Sequence, residues 1–436
     1  MREAVRSCRR TSHSQRCKTM PNSWTEIDLN AVRHNVGLLK SRVKPWVEVI
    51  AVVKGNAYGH GAVEVSRACL EAGVARLGVA FVSEAIELRE AGITAPIMVL
   101  GTFDGDDIES ILDHDLIASL WDLAPAQDLN RSARSRGQRV RVHLNVDTGM
   151  NRLGFPCEGM DRLVKSFAGM NGLIIEGIFS HFSSADEPDG AFNRVQVRRF
   201  DRAVEDLANR GLRIPVVHLQ NSAGLLYFDY PKASAVRPGL ALYGLSPSRL
   251  TSKPADLRPA LSFRSRVVQV REVPAGCFVS YSRTYRTPQE TRLATLSVGY
   301  ADGFPRVLSD RAQVLIQGEA YRVVGRVTMD HIIVDLGLES SVQAGDVATL
   351  IGRDGELVIT ADHVADWAGT ISYEIVSGIS RRVSRQYMGK TLAMPEAAEV
   401  AGHVGSAGFA GRAGHGEFAE AAEGTSRLLK VIRGGR

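Results

Sequence analysis
The sequence predicts an α/β chain in two parts, a (β/α)8 barrel followed by an all-β domain, and three observations carry that prediction. Over roughly 200 residues, short β-branched apolar runs alternate with amphipathic helical patterns, as a barrel of that size requires. An open doubly wound sheet, the competing architecture, would usually carry a G-x-G-x-x-G turn, and none occurs. After about Pro247 the texture changes to short strands with Gly and Pro turns and little helical period.

In chain order, Trp24–Leu29 reads as a short strand, and Asp28 as the cap of a helix over Leu29–Lys40. Strands are then expected at Val49–Val53, Leu77–Phe81, Ile97–Leu100, Leu116–Leu120, Val140–Val146, Leu173–Phe179, Ile214–His218 and Leu240–Tyr243. Helices fall between most of them, at Ala62–Glu71, Ser83–Ala91, Asp106–Asp113, Ala124–Arg136, Met160–Met170 and Asn193–Asn209. In the second part the runs are Ser265–Val270, Leu293–Val298, Gln313–Ile316, His331–Leu336 and Val347–Ile351, with one helix at Thr360–Ala368. The domains are therefore set at 21–250 and 251–392, between a basic extension at 1–20 and an Ala/Gly-rich tail at 393–436 that is expected to be disordered.

Composition excludes several classes. No stretch reaches the apolar length of a membrane span. The net charge of +5 is carried by residues 1–20 alone, so the remainder balances to zero and gives no case for nucleic-acid binding. That segment lacks the apolar core of a secretory signal. It is read as an over-extended start before an initiator at Met20, with an organelle presequence as the alternative. The five cysteines are scattered without metal spacing and fit a reduced cytosol.

The stretch EVIAVVKGNAYGHG (Glu48–Gly61) organises the barrel half. Its apolar run reads as a strand buried on both faces and stops at Lys54, where Gly55, Asn56, Gly59 and Gly61 supply turn chemistry. A lysine fixed at the end of a buried strand is unfavourable unless it has a task. Burial lowers its pKa, and the neutral amine is the form that makes Schiff bases. A lysine that snorkels to solvent is the plain alternative. Barrels place their chemistry at strand carboxyl ends. Further polar clusters fall there: Asn145–Gly154, Glu176–Phe182 and His218–Ala223, with Arg237–Leu240 at or just before the eighth strand.

AVVKGNAYGHG resembles the pyridoxal-phosphate lysine motif of the alanine racemases, and DTGMNRLG, GIFSHF, NSA and VRPG match that family's pattern. One departure is Gly55, where alanine is usual. The order of barrel and β-domain resembles the fold-type III pyridoxal-phosphate enzymes, with a TIM-like barrel whose opening strand pairs with the β-domain. The resemblance covers about residues 22 to 390 and neither end. It implies that Lys54 carries pyridoxal 5'-phosphate. Arg237 would face the pyridine nitrogen, and since a guanidinium keeps its proton, the ring would be a weaker electron sink. His181 would lie against the ring and link to Arg237. Asn221, Ser222 and the amides of Gly239 and Leu240 would hold the phosphate, with Tyr58 and Tyr373.

Racemisation needs a second base on the opposite face of the substrate's Cα. The resemblance gives that role to Tyr281, depressed by His181 and through it Arg237, and delivered from the partner of a head-to-tail homodimer. It has Arg152 and the Met329 amide bind the substrate carboxylate, and Tyr300, Arg306, Arg326 and Asp186 line a substrate corridor. At Asn145 many relatives carry a carbamylated lysine. Asparagine cannot form a carbamate, so Arg152 must be oriented by the Asn145 amide or by a bound anion. The implied function is two-base interconversion of L- and D-alanine in the cytoplasm, supplying D-alanine for peptidoglycan. The alternatives are a racemase of serine, lysine or arginine, a fold-type III decarboxylase, and a non-catalytic pyridoxal-phosphate-binding barrel. Tyr281 and Met329 argue against the last.

Overall fold
The computed structural model describes residues 22–187, 189–248 and 256–389; the expected basic extension and Ala/Gly-rich tail lie outside them. β1 (Ser23–Asp28) leads directly into helix α1 (Leu29–Ser41). Asp28 caps that helix by accepting from the amides of Asn30 (2.8 Å) and Ala31 (3.2 Å). Eight strands follow: β2 (Glu48–Val52), β3 (Arg76–Val79), β4 (Ile97–Val99), β5 (Ile117–Leu120), β6 (Val140–Asp147), β7 (Leu173–Phe179), β8 (Val216–His218) and β9 (Ala235–Val236). They run parallel in the order β9-β2-β3-β4-β5-β6-β7-β8. Between the last and first strands of that order, the Ser234 amide donates to Val217 O and the Arg237 amide to Gln220 O, both at 2.9 Å. The ring is thereby nearly closed.

The period of two along the strands sorts side chains between the inside and the outside of this ring. Val49, Ala51 and Val53 join the core shared with the helices, whereas Ile50 packs in a separate cluster with Met98, Ile117, Phe179, Val216 and Ala235. On β6, Val142, Leu144 and Val146 belong to the outer core. His143 and Asn145, on the alternate face, therefore point inward. The barrel interior is apolar in one part and polar in the other.

The expected strand at Leu240–Tyr243 is not one. It is a 3-10 turn ended by Gly244 in the left-handed region (φ +79°), and the eighth strand is β9. Four consecutive buried apolar residues read alike in a strand and a short helix, so periodicity could not separate them. Arg237 consequently follows its strand, which puts it at the carboxyl end. The short helices Ser222–Tyr227 and Ser372–Ser377 were also not foreseen.

The second part is built on β10 (Leu261–Val273), β11 (Thr291–Leu296), β12 (Gln313–Ile316), β13 (Glu319–Val323), β14 (Ile332–Asp335), β15 (Val347–Asp354), β16 (Leu357–Ile359) and β17 (Ser384–Met388). A β15–β10 pairing closes β15-β12-β13-β14-β11-β10 into a small barrel. β1 is part of this sheet, antiparallel to β10 and parallel to β17. The first described strand thus belongs to the β-domain, and the large barrel is built after it. Ile27 of β1 is fully buried opposite Leu261 and Tyr387. Ile27→Ala should cost about 2–5 kcal/mol, read as a lower denaturant midpoint at unchanged slope. A loss below about 1 kcal/mol would show that β1 contributes little to docking the two parts.

Candidate active site
Lys54 leaves the end of β2 into a single left-handed turn. Gly55, Asn56, Ala57 and Tyr58 have φ of +62°, +54°, +53° and +51°. L-residues resist this region by roughly 1–2 kcal/mol each, so the turn must be held from outside. Several contacts hold it. The Glu84 carboxylate accepts from the Gly55 amide (2.6 Å) and, with its other oxygen, from the Ala80 amide (2.7 Å). Asn56 Oδ1 accepts from the Ala62 amide (2.9 Å). His60 Nδ1 donates to the carbonyls of Ala57 (3.0 Å) and Tyr58 (2.9 Å). Gly59 packs so tightly under the β-domain that a Cβ there would lie 2.0 Å from Val376 O. Burial and then the charge of Arg152 push the Lys54 amine below its ordinary value, with Glu84 opposing and Arg237 adding to the effect.

Lys54 opens into a cavity of about 350 Å³ at the carboxyl end of the barrel. Every site residue expected from the barrel half lines it: Lys54, Tyr58, Arg152, His181, Asn221, Ser222, Arg237, Gly239 and Leu240, joined by Tyr373 from the β-domain. Asp147 is the one acid among the described lining residues, and its Oδ1 is occupied by the amides of Gly149 and Asn151. The cavity therefore gathers three cationic side chains against one carboxylate.

Arg237 is buried, and its terminal nitrogens are fully engaged. Nη1 donates to His218 Nδ1 (2.7 Å) and His218 O (2.9 Å). Nη2 donates to Ser180 O (2.6 Å) and Leu219 O (3.2 Å), with His181 Nδ1 at 3.4 Å. Nε has no hydrogen-bond partner among the described residues, which leaves one donor for a ligand. Burial and the Arg152 charge lower Arg237 to about 9, still cationic at neutral pH. Burial first, then Arg237, Arg152 and Lys54, hold His181 well below its ordinary value, so it is neutral. The expected His181–Arg237 link is present. The shorter link, to His218, was not foreseen.

At the other end of the cavity, Ser222 Oγ accepts from the amides of Gly239 (2.9 Å) and Ala241 (3.2 Å). The Gly239 amide, expected to face a phosphate, is thus turned to Ser222. The glycine serves another purpose: a Cβ there would lie 2.6 Å from the Tyr58 hydroxyl. Tyr58 packs between the tilted rings of Tyr243 (centroids 5.1 Å, 37° between planes) and Tyr373 (6.1 Å, 51°). Burial raises the Tyr58 phenol to about 12 and raises Tyr373 as well, so both are neutral donors. Asn221 Nδ2 lies 3.4 Å from His181 Nε2. No hydrogen bond joins Asn145 to Arg152 among the described residues, so the Asn145 amide does not orient that arginine here.

Tyr281 and Met329 do not line this cavity. Tyr281 is 70% exposed on the β-domain, so His181 and Arg237 of the same chain are not its neighbours. Its loop is strained, with Ser280, Ser282 and Arg283 at positive φ. Ser280 Oγ donates to Arg326 O (2.6 Å), which ties this loop to the Gly325–Asp330 loop bearing the half-exposed Met329. Of the expected corridor residues, Asp186, Tyr300 and Arg306 are exposed and Arg326 is half-buried.

Gly55 has open space where a Cβ would sit. Gly55→Ala should therefore cost only its backbone term, about 1–2 kcal/mol of unfolding free energy. Urea denaturation checks this; a stabilised variant would show that the left-handed turn is not the solution conformation.

The family model for the alanine racemase N-terminal domain matches residues 27–247, and that for the C-terminal domain matches 260–387. The chain is 46% identical over 372 residues to an alanine racemase of Symbiobacterium thermophilum, covering 85% of this chain and 98% of that one. It is similar in structure to alanine racemase from Streptomyces lavendulae (39% identity, TM-score 0.82, 86% of this chain and 98% of that chain). It is also similar to the Bartonella henselae enzyme with covalently bound pyridoxal phosphate (30% identity, TM-score 0.76, 85% and 100%). The matches of both family models and of relatives along nearly their whole length place the chain in the alanine racemase family of isomerases.

Proposed function
We propose that this chain interconverts L- and D-alanine with pyridoxal 5'-phosphate held in the Lys54 cavity. The observation that carries the reading is the gathering of Lys54, Arg152 and Arg237 around one space with a single, already occupied carboxylate. Such a cavity favours a ligand with several negative charges. The residues present fit the cofactor. Lys54, its amine made easier to deprotonate by burial and Arg152, would hold the aldehyde carbon. Arg237 has only Nε–H to offer, the single donor that a ring nitrogen accepts. Tyr58, Tyr373, Asn221, Ser222 and the Leu240 amide would hold the phosphate, and the missing Cβ of Gly239 makes the room for Tyr58. When bound, the cofactor supplies an electron sink for the bond to the α-hydrogen.

This chain's own groups would do the rest. Lys54 would move the proton on one face of Cα, and Tyr281 on the other. Arg152 and the Met329 amide would hold the substrate carboxylate, and His181 would pack beside the ring. Because Tyr281 and Met329 sit together on an exposed loop pair away from the cavity, they are assigned to the partner's cavity in a homodimer. The β-domain with its Tyr281 loop favours a racemase over a non-catalytic carrier. In this reading the D-alanine product is supplied in the cytoplasm for peptidoglycan.

Incubation with L-alanine in heavy water should remove both the α-proton signal and the optical activity. Exchange with retained optical activity would mean that the Tyr281 face does not work, and no exchange would overturn the reading. Lys54→Ala should lose the visible absorbance of the bound cofactor. Lys54→Ala and Tyr281→Ala proteins, each inactive, should regain activity when unfolded and refolded together. Inactive mixtures would overturn the shared-site assignment.

A further inference from the structure
Behind Arg237 a hydrogen-bonded chain of side chains crosses the barrel interior to its floor. His218 Nε2 lies 2.7 Å from His143 Nδ1, and His143 Nε2 lies 3.1 Å from Glu176 Oε2. Arg76 Nη1 donates to the same Glu176 oxygen (2.7 Å), and Arg76 Nε donates to Glu48 Oε2 (2.7 Å). His143 and His218 are fully buried, and Glu48, at the amino end of β2, reaches solvent. Barrel interiors are ordinarily filled with branched apolar side chains. Six polar groups in line therefore need a reason.

The direction of the chain follows from its ends. While the guanidinium keeps this orientation Arg237 donates to His218 Nδ1, so the proton of that ring sits on Nε2. His218 therefore donates to His143 Nδ1, and His143 carries its own proton on Nε2. That proton goes to Glu176, which as a carboxylate can only accept. Burial would raise the Glu176 carboxyl, but hydrogen bonds from His143 and Arg76 and the Arg76 charge outweigh it and hold it at about 2. Burial, followed for His218 by the Arg237 charge, keeps both imidazoles neutral. Each link thus has one sense. A His218 ring with its proton on Nδ1 would set N–H against N–H at 2.7 Å and turn the guanidinium.

The backbone makes room for this arrangement. Gly177 pairs with His143 across β6 and β7, at a shift in their register. A Cβ at Gly177 would lie 2.3–2.5 Å from the His143 ring. Phe179 stacks on His218 (5.1 Å, 15° between planes) and lies under the Arg237 guanidinium (5.2 Å). These contacts fix both rings in plane.

We propose that Glu176 is a positioning residue for Arg237: through His143 and His218 it sets the direction of every hydrogen in the chain, and so keeps Nη1 turned inward and Nε–H free for the ligand. That this ligand is the cofactor ring rests on the reading given above. The relay itself does not.

The test is NMR of the cofactor-loaded protein labelled with 15N-histidine, with His143→Gln and His218→Gln used for assignment. Both rings should be neutral Nε2–H tautomers. Glu176→Ala should leave His143 and His218 as tautomer mixtures and lower kcat about tenfold or more with KM little changed, as losing an outer partner does elsewhere. Glu176→Gln keeps an acceptor oxygen and should restore the tautomers and most of kcat. Gly177→Ala, which leaves every polar group in place, should disturb the same two signals. An Nδ1–H tautomer at either histidine in the parent, or unchanged signals in Glu176→Ala, would overturn the relay. Nε2–H tautomers in a protein that does not exchange the alanine α-proton would uphold the relay and overturn the functional reading instead.

Discussion
The site depends on one turn of the wrong hand. Three L-residues, Asn56, Ala57 and Tyr58, follow Gly55 at positive φ directly after Lys54. At roughly 1–2 kcal/mol each, the turn would not form on its own. It is held by Glu84 from the next βα unit, by His60 beneath it, by Asn56 closing on the following helix, and by the backbone of the β-domain against Gly59. Ala57 at its centre is fully buried. The position of Lys54 is thus decided by contacts from three parts of the fold, and the β-domain is one of them. Strain of this kind persists only where the surroundings over-determine it, and it clusters where geometry must be kept.

The second constraint is electrostatic. Burial and then the Arg152 charge lower both Lys54 and Arg237, and the Arg237 charge adds to the effect on Lys54. Two of the three are treated differently by the fold. Arg237 is surrounded by carbonyls and by the His218 lone pair, so its charge is met by dipoles, with the Glu176 carboxylate two imidazoles away. Arg152 is exposed, and its charge is met by water. Lys54 has neither solution, and burial followed by the Arg152 charge lowers its amine. The arginines therefore do more than attract an anion. Their charges also make the Lys54 amine easier to deprotonate.

Much of this was legible in the sequence, and the failures have physical causes. Runs such as Val49–Val53 and Ile97–Leu100 announced buried strands because strands covered on both faces need unbroken apolar residues. The polar clusters at strand ends announced the cavity, since only one face of a barrel collects them. Leu240–Tyr243 was misread because four buried apolar residues carry no period. His143 and His218 were invisible as partners. They stand 75 residues apart on different strands, and only closure of the ring brings Nδ1 of one to 2.7 Å from Nε2 of the other. Glu84 was hidden for a similar reason. In the sequence it is one acid on an amphipathic helix, and its contact with Gly55 crosses between βα units. Gly177 and Gly239 could be read only as glycines, because the ring and the hydroxyl that need their space come from elsewhere.

The Tyr281 loop makes sense in the same terms only when a second chain is considered. Tyr281 is exposed between residues at positive φ, and it does not line the cavity of its own chain. The Ser280–Arg326 bond nevertheless fixes this loop to the Met329 loop, so the two are built as a unit. One chain then carries a cavity with Lys54 and a separate pair of joined loops with the Tyr281 phenol and Met329. If each cavity takes the other chain's loops, a two-fold axis satisfies both at once, and the assembly closes at two subunits. A head-to-tail contact without that symmetry would leave one cavity and one loop pair open at the ends of a growing chain. The proposed dimer is therefore the smallest arrangement in which the strain stored at Ser280–Arg283 and the charge gathered at Lys54 serve the same reaction.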